Sequence, residues 1–345
     1  MKSLSRQEGS PLSDLISMRD YAIRKMFVAA DEYKDYVKEV WYTIEEAERS
    51  PKVSFDKVFS VDGSKFHIEF QSLSLFLVRA LSFLIDFKGK SGVHKVKSLY
   101  GTVTPPYKSN DRSILYMEAL ELELVNELLE EVGYSDDALI LADGAMSTIG
   151  QCRTYEGSKC GCALRHGSVS EVLNDGGLDG RCKVCLECAV KQNNLRKVIE
   201  RRSPNLFYVA KKYHSNALFQ DEELDDLTIL FLVTTYLSSD MDGAGVTIPM
   251  RKTIKLPLIG REEEVWFFYA KFKRGGNLYY IEVPREIGLE DAMNFVKEVS
   301  PLCTKGVGYP LPLIWAHKSV ELPEKTIRPI IEQAYAFFRS GREGL

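Results

Sequence analysis

Val58-Phe-Ser-Val-Asp-Gly-Ser64 and Leu139-Ile-Leu-Ala-Asp-Gly-Ala145 are two mainly apolar runs that each lead into Asp-Gly. Short runs of Val, Ile and Leu are strand formers of the buried kind, and a glycine lets the backbone turn sharply or a ligand come close. Asp62 and Asp143 would therefore meet at the edge of one sheet. Two carboxylates held together repel each other unless a proton or a divalent cation lies between them. Mg2+ or Mn2+, which prefer oxygen ligands, are the usual occupants. Asp-Gly is also ordinary turn chemistry, so the pair gains its weight from its surroundings.

Residues 12–49 carry apolar side chains at helical spacing, among them Ile16, Ile23, Phe27, Val37 and Trp41, which predicts an N-terminal helical segment over 1–50. The main domain then runs over 51–345, interrupted by a Cys-rich insertion over 150–190. After Asp62, His67, Glu69 and Gln71 alternate with Phe66, Ile68 and Phe70, the pattern of a hairpin. Residues 73–85 read as a third strand, and residues 87–111, rich in Lys, Gly, Ser and Pro, as a long loop. Leu115, Leu120, Leu124 and Leu128 mark a helix over 113–131. Further strands are expected at 206–210, 246–254, 264–272 and 277–283, with helices over 186–202, 221–237, 289–299, 311–319 and 324–338. A hairpin-rich start, a helix, a further strand and then helices is the order of a ribonuclease H-like α/β fold. Such a fold is a mixed sheet flanked by helices, with three antiparallel strands and others added in parallel.

The 345 residues suffice for a large core, and the net charge of −4 argues against a surface that coats nucleic acid by charge alone. No run approaches a membrane span and no secretory signal is evident, so a cytoplasmic protein with no membrane partner is expected. Basic clusters at 88–97, 196–202, 211–212 and 271–274, with Tyr100, Tyr107 and Tyr213 near them, are candidates for a single-strand groove. Six of the seven cysteines are Cys152, Cys160, Cys162, Cys182, Cys185 and Cys188. In a cytosolic chain a disulfide framework is unexpected. The spacing of Cys182, Cys185 and Cys188, with His166 nearby, suits a structural Zn2+, with an iron–sulfur cluster as the alternative.

Met117-Glu-Ala-Leu-Glu-Leu-Glu123 supplies three candidates for a third carboxylate on the helix between the two strands: Glu118 and Glu121 share a face, and Glu123 points away. Three carboxylates could hold divalent ions that activate water and stabilise the leaving oxygen of a phosphodiester. Gly308-Tyr-Pro-Leu-Pro-Leu-Ile-Trp-Ala-His-Lys318 could bring Tyr309 and His317 to the same cleft, His317 as a metal ligand or general acid/base.

Taken together, Val61-Asp-Gly-Ser64, Glu121-Leu-Glu-Leu124, the strand ending at Asp143-Gly144, Val209-Ala-Lys211, Glu282-Val-Pro284 and Gly308-Tyr-Pro with Ala316-His317 resemble the NurA family of nucleases, in order and rough spacing from about Val53 to Lys325. The resemblance implies a Mn2+-dependent (or Mg2+-dependent) DNA nuclease with single-strand endonuclease and 5′-to-3′ exonuclease activity. It implies a homodimer docked on the hexameric translocase HerA, in resection of DNA ends at double-strand breaks. Carried onto this chain, Asp62, Asp143 and Glu121 would be metal ligands, with His317 and Tyr309 completing the site. Lys211 would neutralise a scissile phosphate, with Lys212 as its rival. The cysteine insertion departs from the family pattern. Two other readings are a catalytically inactive nuclease-like module that binds DNA or docks on the translocase, and an actin-like or kinase-like phosphotransferase. The latter is disfavoured because no Gly-rich phosphate loop follows the first strand.

Overall fold

The computed structural model describes residues 11–334 apart from Glu46, residues 48–52, Gln71, residues 104–106, Tyr134, Asp136, residues 156–160, Ala163 and Glu222. Helices α1 (Pro11–Glu32) and α2 (Lys34–Val40) lead into β1 (Trp41–Thr43), then β2 (Lys57–Glu69), β3 (Ser74–Asp86), β4 (Gly92–Val103), α3 (Ser109–Val132) and β5 (Ala138–Asp143). Short helices α4 (Met146–Ile149) and α5 (Val169–Asn174) precede the long α6 (Gly180–Glu200), β6 (Leu206–Ala210) and α7 (Asp226–Leu232). The chain ends with β7 (Gly245–Thr247), β8 (Met250–Leu256), β9 (Arg261–Lys271), β10 (Leu278–Val283), α8 (Leu289–Val299), α9 (Leu311–Val320) and α10 (Glu324–Ala334).

All ten strands share one sheet, in the order β1-β7-β9-β10-β6-β5-β2-β3-β4, with β8 also paired to β9. The expected mixed pattern is present: β2, β3 and β4 are antiparallel, and β5 and β6 are added parallel to β2. Alternation along the strands assigns the two faces. Phe59, Val61, Ile140 and Ala142 pack with the leucines of α3 and the apolar side of α6. Val58, Leu139, Leu141 and Val209 pack with α8 and the start of α9 on the opposite face. Leu122, Leu124 and Leu128 of α3 are fully buried, each worth about 1.5–3 kcal/mol relative to exposure. That burial anchors the helix on which the third candidate carboxylate sits.

Three expectations are corrected. First, Asp62-Gly63 does not end a strand: β2 passes through it and pairs residue for residue with β3 as far as Glu69. Second, residues 87–111 are not one long loop, since β4 occupies Gly92–Val103. It is an edge strand whose outward side chains, Val93, Val96 and Tyr100, are exposed among lysines and serines, so its composition resembles a loop. Third, Trp41 belongs to a strand rather than a helix, and through β1 the N-terminal segment joins the sheet by pairing with β7. No helix among the described residues is long and apolar enough to cross a membrane.

Among the described residues the cysteines of the insertion are paired in disulfides rather than grouped as metal ligands. Cys152 pairs with Cys188 and Cys162 with Cys182, at Cα separations of 5.9 and 6.0 Å, and Cys185 is disulfide-bonded as well. Cys160 lies outside the described residues. A metal-binding sulfur must be a thiolate, so these disulfides remove the donors on which the zinc and iron–sulfur readings depended. His166 is occupied by Asp175 at 3.0 Å. The cysteine helix α6 packs against α3. Arg112 of α3 donates two hydrogen bonds to the fully buried Glu187 of α6, at 2.6 and 3.0 Å, and Lys191 binds Glu118 at 2.6 Å. The bridge from Cys152 to Cys188 spans 36 residues, a loop whose closure stabilises a fold by about 4 kcal/mol. A reducing agent is accordingly expected to lower the melting temperature in the absence of added metal. A melting curve indifferent to reductant, with one zinc per chain by elemental analysis, would restore the metal reading.

Candidate active site

The site forms where β5 stops and β2 continues. Val58, Ser60 and Asp62 face α9: the Ser60 hydroxyl donates to the Pro312 carbonyl at 2.7 Å, and His317 Nδ1 lies 2.8 Å from Asp62 Oδ2. Asp62 Oδ1 accepts from the Gly63 N–H at 2.7 Å. Parallel pairing of Val61 with Ala142 sets Asp143, the last residue of β5, beside Asp62 on the same face. Gly144, at φ +97°, then turns the chain away, its N–H donating to the Val209 carbonyl at 3.1 Å. Tyr309 donates to Asp143 Oδ1 at 2.9 Å, and Lys211 lies 3.3 Å from Oδ2 with its ammonium 4.3 Å from the centre of the Tyr309 ring.

The third carboxylate arrives from the other face. Gly63 turns its missing side chain toward α3, and a Cβ there would collide with the carboxylate of Glu121 and come within 2.6 Å of Met117 Cγ. The first Asp-Gly therefore carries a glycine for close approach, and the second carries one for a turn. The rival glutamates are engaged elsewhere: Glu118 with Lys191 at 2.6 Å and Glu123 with Lys97 at 3.3 Å. Lys211, and not Lys212, reaches Asp143. The structure thus gathers Asp62, Glu121, Asp143, Tyr309, His317 and Lys211.

Burial and crowding of like charge raise the proton affinity of this cluster. Asp62, 6% exposed, is pushed up to about 6, first by burial and then by Asp143, against the contrary pull of His317 and the Gly63 N–H. Glu121 is raised well above the usual carboxylate range by burial, then by Asp62, Glu118 and Asp143. Tyr309 is raised well above the usual phenol range by burial and by Asp143, and stays a hydrogen-bond donor. Among the described residues no group of three or more His, Cys, Asp or Glu is assembled as a ready metal centre. The four oxygens of Asp62 and Asp143 are instead held by Gly63, His317, Tyr309 and Lys211. The donor set still fits a hard divalent ion: three carboxylates from three elements, two of them reluctant to ionise without a compensating cation.

In sequence, the Glu282-Val-Pro284 element stands without a role for its glutamate. Glu282, wholly buried on β10, accepts from the Ser147 N–H and Tyr280 OH at 2.9 and 2.8 Å, and the Ser147 hydroxyl bonds both Glu282 and Tyr213. It thereby secures the start of α4, three residues after Gly144. A glutamate in the otherwise apolar run Leu278–Val283 was the available signal. The basic clusters divide differently from expectation. Lys88, Lys95, Lys97, Arg196 and Arg201 are in ion pairs with carboxylates, and Lys271 is buried against Asp242. Tyr213 stacks on Tyr280 at 3.8 Å. From the Lys211–Lys212 cluster, Lys211 stands at the carboxylates.

The arrangement has counterparts. A family model described as the NurA domain matches residues 56–322. The DNA double-strand break repair nuclease NurA of Sulfolobus acidocaldarius is 25% identical over 327 residues, covering 90% of each chain. Among solved structures, the NurA nuclease from Sulfolobus solfataricus matches with a TM-score of 0.74 at 22% identity, over 95% of this chain and 97% of that one. A NurA structure with dAMP and manganese matches with a TM-score of 0.60 at 14% identity, over 98% of both chains. Because the domain match spans most of the chain and the whole fold follows, from the first Asp-Gly strand to the Tyr309–His317 segment, this protein belongs to the NurA family.

Proposed function

We propose that this protein is a divalent-metal-dependent DNA nuclease whose catalytic centre is Asp62, Glu121, Asp143, Tyr309, His317 and Lys211. The observation that carries this reading is the convergence of three carboxylates from β2, α3 and β5 at the end of β5, with a lysine and an imidazole at the same spot. Support for manganese as the ion comes from the NurA structures that contain it. Bound ions would be held by Asp62, Asp143 and Glu121, with His317 at the edge, and would supply an activated water and charge stabilisation for phosphodiester hydrolysis. The chain's own residues do the positioning. Tyr309 fixes the rotamer of Asp143 by its hydrogen bond. Lys211 offers a cation to a phosphate arriving at Asp143. His317 holds Asp62 through Nδ1 while its side chain stays 59% exposed, so Nε2 is the nitrogen placed to exchange a proton with substrate or water.

The finer assignment follows the family: single-stranded DNA cut internally and from the 5′ end, in end resection at double-strand breaks, by a homodimer working with a HerA-type hexameric translocase. Its support is the resemblance and the role of the Sulfolobus acidocaldarius relative in double-strand break repair. In Mn2+, the protein is expected to shorten labelled single-stranded DNA. A folded Asp143→Asn variant should be slower by at least about 100-fold, equivalent to about 3 kcal/mol of barrier. Equal rates in the two proteins would remove Asp143 from the site, and no turnover by the wild type in any divalent ion would support the binding-module reading.

A further inference from the structure

The three carboxylates of the site are unequally furnished. Asp62 is held by the Gly63 N–H and His317, and Asp143 by Tyr309 and Lys211. Glu121 accepts no hydrogen bond from any described residue. The complementary case lies two strands away from Gly63. On β6 the Tyr208 hydroxyl is buried and meets no hydrogen-bond partner among the described residues. Val61, Ala142, Tyr208 and Glu282 are register partners in turn across β2, β5, β6 and β10, so their side chains leave the same face of the sheet. From that face α3 brings Glu121 down onto Gly63. Between Val61 and Tyr208 the row holds only the methyl group of Ala142. Glu282, at the end of the row, is already engaged by Ser147 and Tyr280. Burial first, then Glu121 and then Glu282 raise the Tyr208 phenol above its usual range, so it stays a donor within electrostatic reach of both carboxylates.

We infer that Tyr208 is the positioning residue of Glu121: its hydroxyl donates a hydrogen bond to the Glu121 carboxylate when that group joins Asp62 and Asp143 in holding a cation. The inference rests on the nuclease reading and deepens it. Burying a hydroxyl without a partner destabilises a fold, and phenylalanine, the residue at position 207, would fill the same space without that penalty. Glu121 is an acceptor with no donor, and Tyr208 is a donor with no acceptor, on one face of one sheet. The bond does for Glu121 what the Tyr309 hydroxyl does for Asp143: it fixes the direction in which the carboxylate presents its other oxygen. Tyr208 is only 2% exposed. It is out of reach of a DNA strand on the surface and acts through Glu121.

Tyr208→Phe removes the hydroxyl and nothing else, so it tests the role directly. Three measurements on the full chain are compared with the wild type: the melting temperature in EDTA, calorimetric titration with Mn2+ alone, and the kinetics of Mn2+-dependent cleavage of labelled single-stranded DNA. In EDTA the variant should melt at the wild-type temperature or above it, because a hydroxyl without a partner is gone. It should bind Mn2+ about 10-fold more weakly and cleave with a kcat about 10-fold lower, the scale on which residues that orient metal ligands act. KM for DNA should not change. Unaltered Mn2+ affinity and kcat would overturn the inference. So would a variant that melts lower in EDTA, since the hydroxyl would then be serving the fold through Glu282. A wild type that binds Mn2+ in a Tyr208-dependent way but cleaves DNA in no divalent ion would uphold the positioning role and reject the nuclease reading. A wild type that binds no Mn2+ would overturn both.

Discussion

Asp62→Asn is expected to reduce Mn2+-dependent DNA cleavage by about 1,000-fold or more and, in metal-free buffer at neutral pH, to raise the melting temperature. The two effects have one cause. Asp62 sits almost buried beside Asp143 and near Glu121, so its charged form is disfavoured in the folded protein and its proton affinity is raised from the ordinary 3.8 to about 6. A carboxyl group whose folded value lies above its unfolded value stabilises the fold fully below the unfolded value, and that contribution is lost as pH rises through the folded one. For Asp62 the window runs from about pH 4 to about pH 6. At about 1.4 kcal/mol per tenfold change, the metal-free protein gives up about 3 kcal/mol across it. Asparagine cannot ionise, yet it keeps an oxygen for the Gly63 N–H or for His317. The variant should therefore melt a few degrees higher than the wild type above pH 6 and equally below pH 4, and added Mn2+ should stabilise the wild type more than the variant. A variant that is both inactive and less stable than the metal-free wild type would mean that Asp62 is chiefly a structural residue.

The second large effect is expected from a methyl group. Gly63→Ala leaves every proposed ligand in place, but its Cβ would occupy the space of the Glu121 carboxylate and press on Met117. The Glu121 side chain has torsions with which to move away, so the fold should survive with a loss of about 1–2 kcal/mol. The site should not: displacing a catalytic group by about 1 Å costs on the order of 100-fold in rate. Cleavage is expected to drop by about that factor with Mn2+ affinity lowered, whereas Gly144→Ala, at φ +97° with open space around its Cβ, should act through backbone strain and lower stability. If Gly63→Ala cleaves DNA as fast as the wild type, Glu121 is not the third carboxylate.

These contrasts also show how far the amino-acid sequence could be read. The strand order around β2 and β5 was legible because buried strands must be apolar, and the Asp-Gly after each run marked where a side chain could leave the core. Glu121 was legible only as one of three glutamates. What separates it from Glu118 and Glu123 is the position of Lys191 and Lys97, which lie far away along the chain. The different roles of the two glycines depend on whether the strand continues, and identical dipeptides cannot reveal that. β4 was missed because an edge strand shows water the same residues as a loop. The cysteines misled for a chemical reason: spacing in sequence suits a shared ion or separate disulfides alike, and oxidation state is not written in it. The rule that intracellular chains avoid disulfides also has a known exception among hyperthermophiles. Glu282 stood in the open as a charged residue within an apolar strand, but of its partners only Tyr280 lies on the same strand, while Ser147, itself bonded to Tyr213, comes from far away along the chain, and only the fold joins them.

The central claim is that Asp62, Asp143 and Glu121 together hold the catalytic divalent ion. A crystal of this protein soaked in Mn2+ and measured at a wavelength where manganese scatters anomalously tests it most directly. The account predicts an anomalous peak within about 2.0–2.3 Å of carboxylate oxygens of Asp62 and Asp143, with Glu121 at the same centre, and no peak in a crystal of Asp62→Asn. Manganese bound elsewhere while these carboxylates keep their contacts to His317, Tyr309 and Lys211 would contradict it.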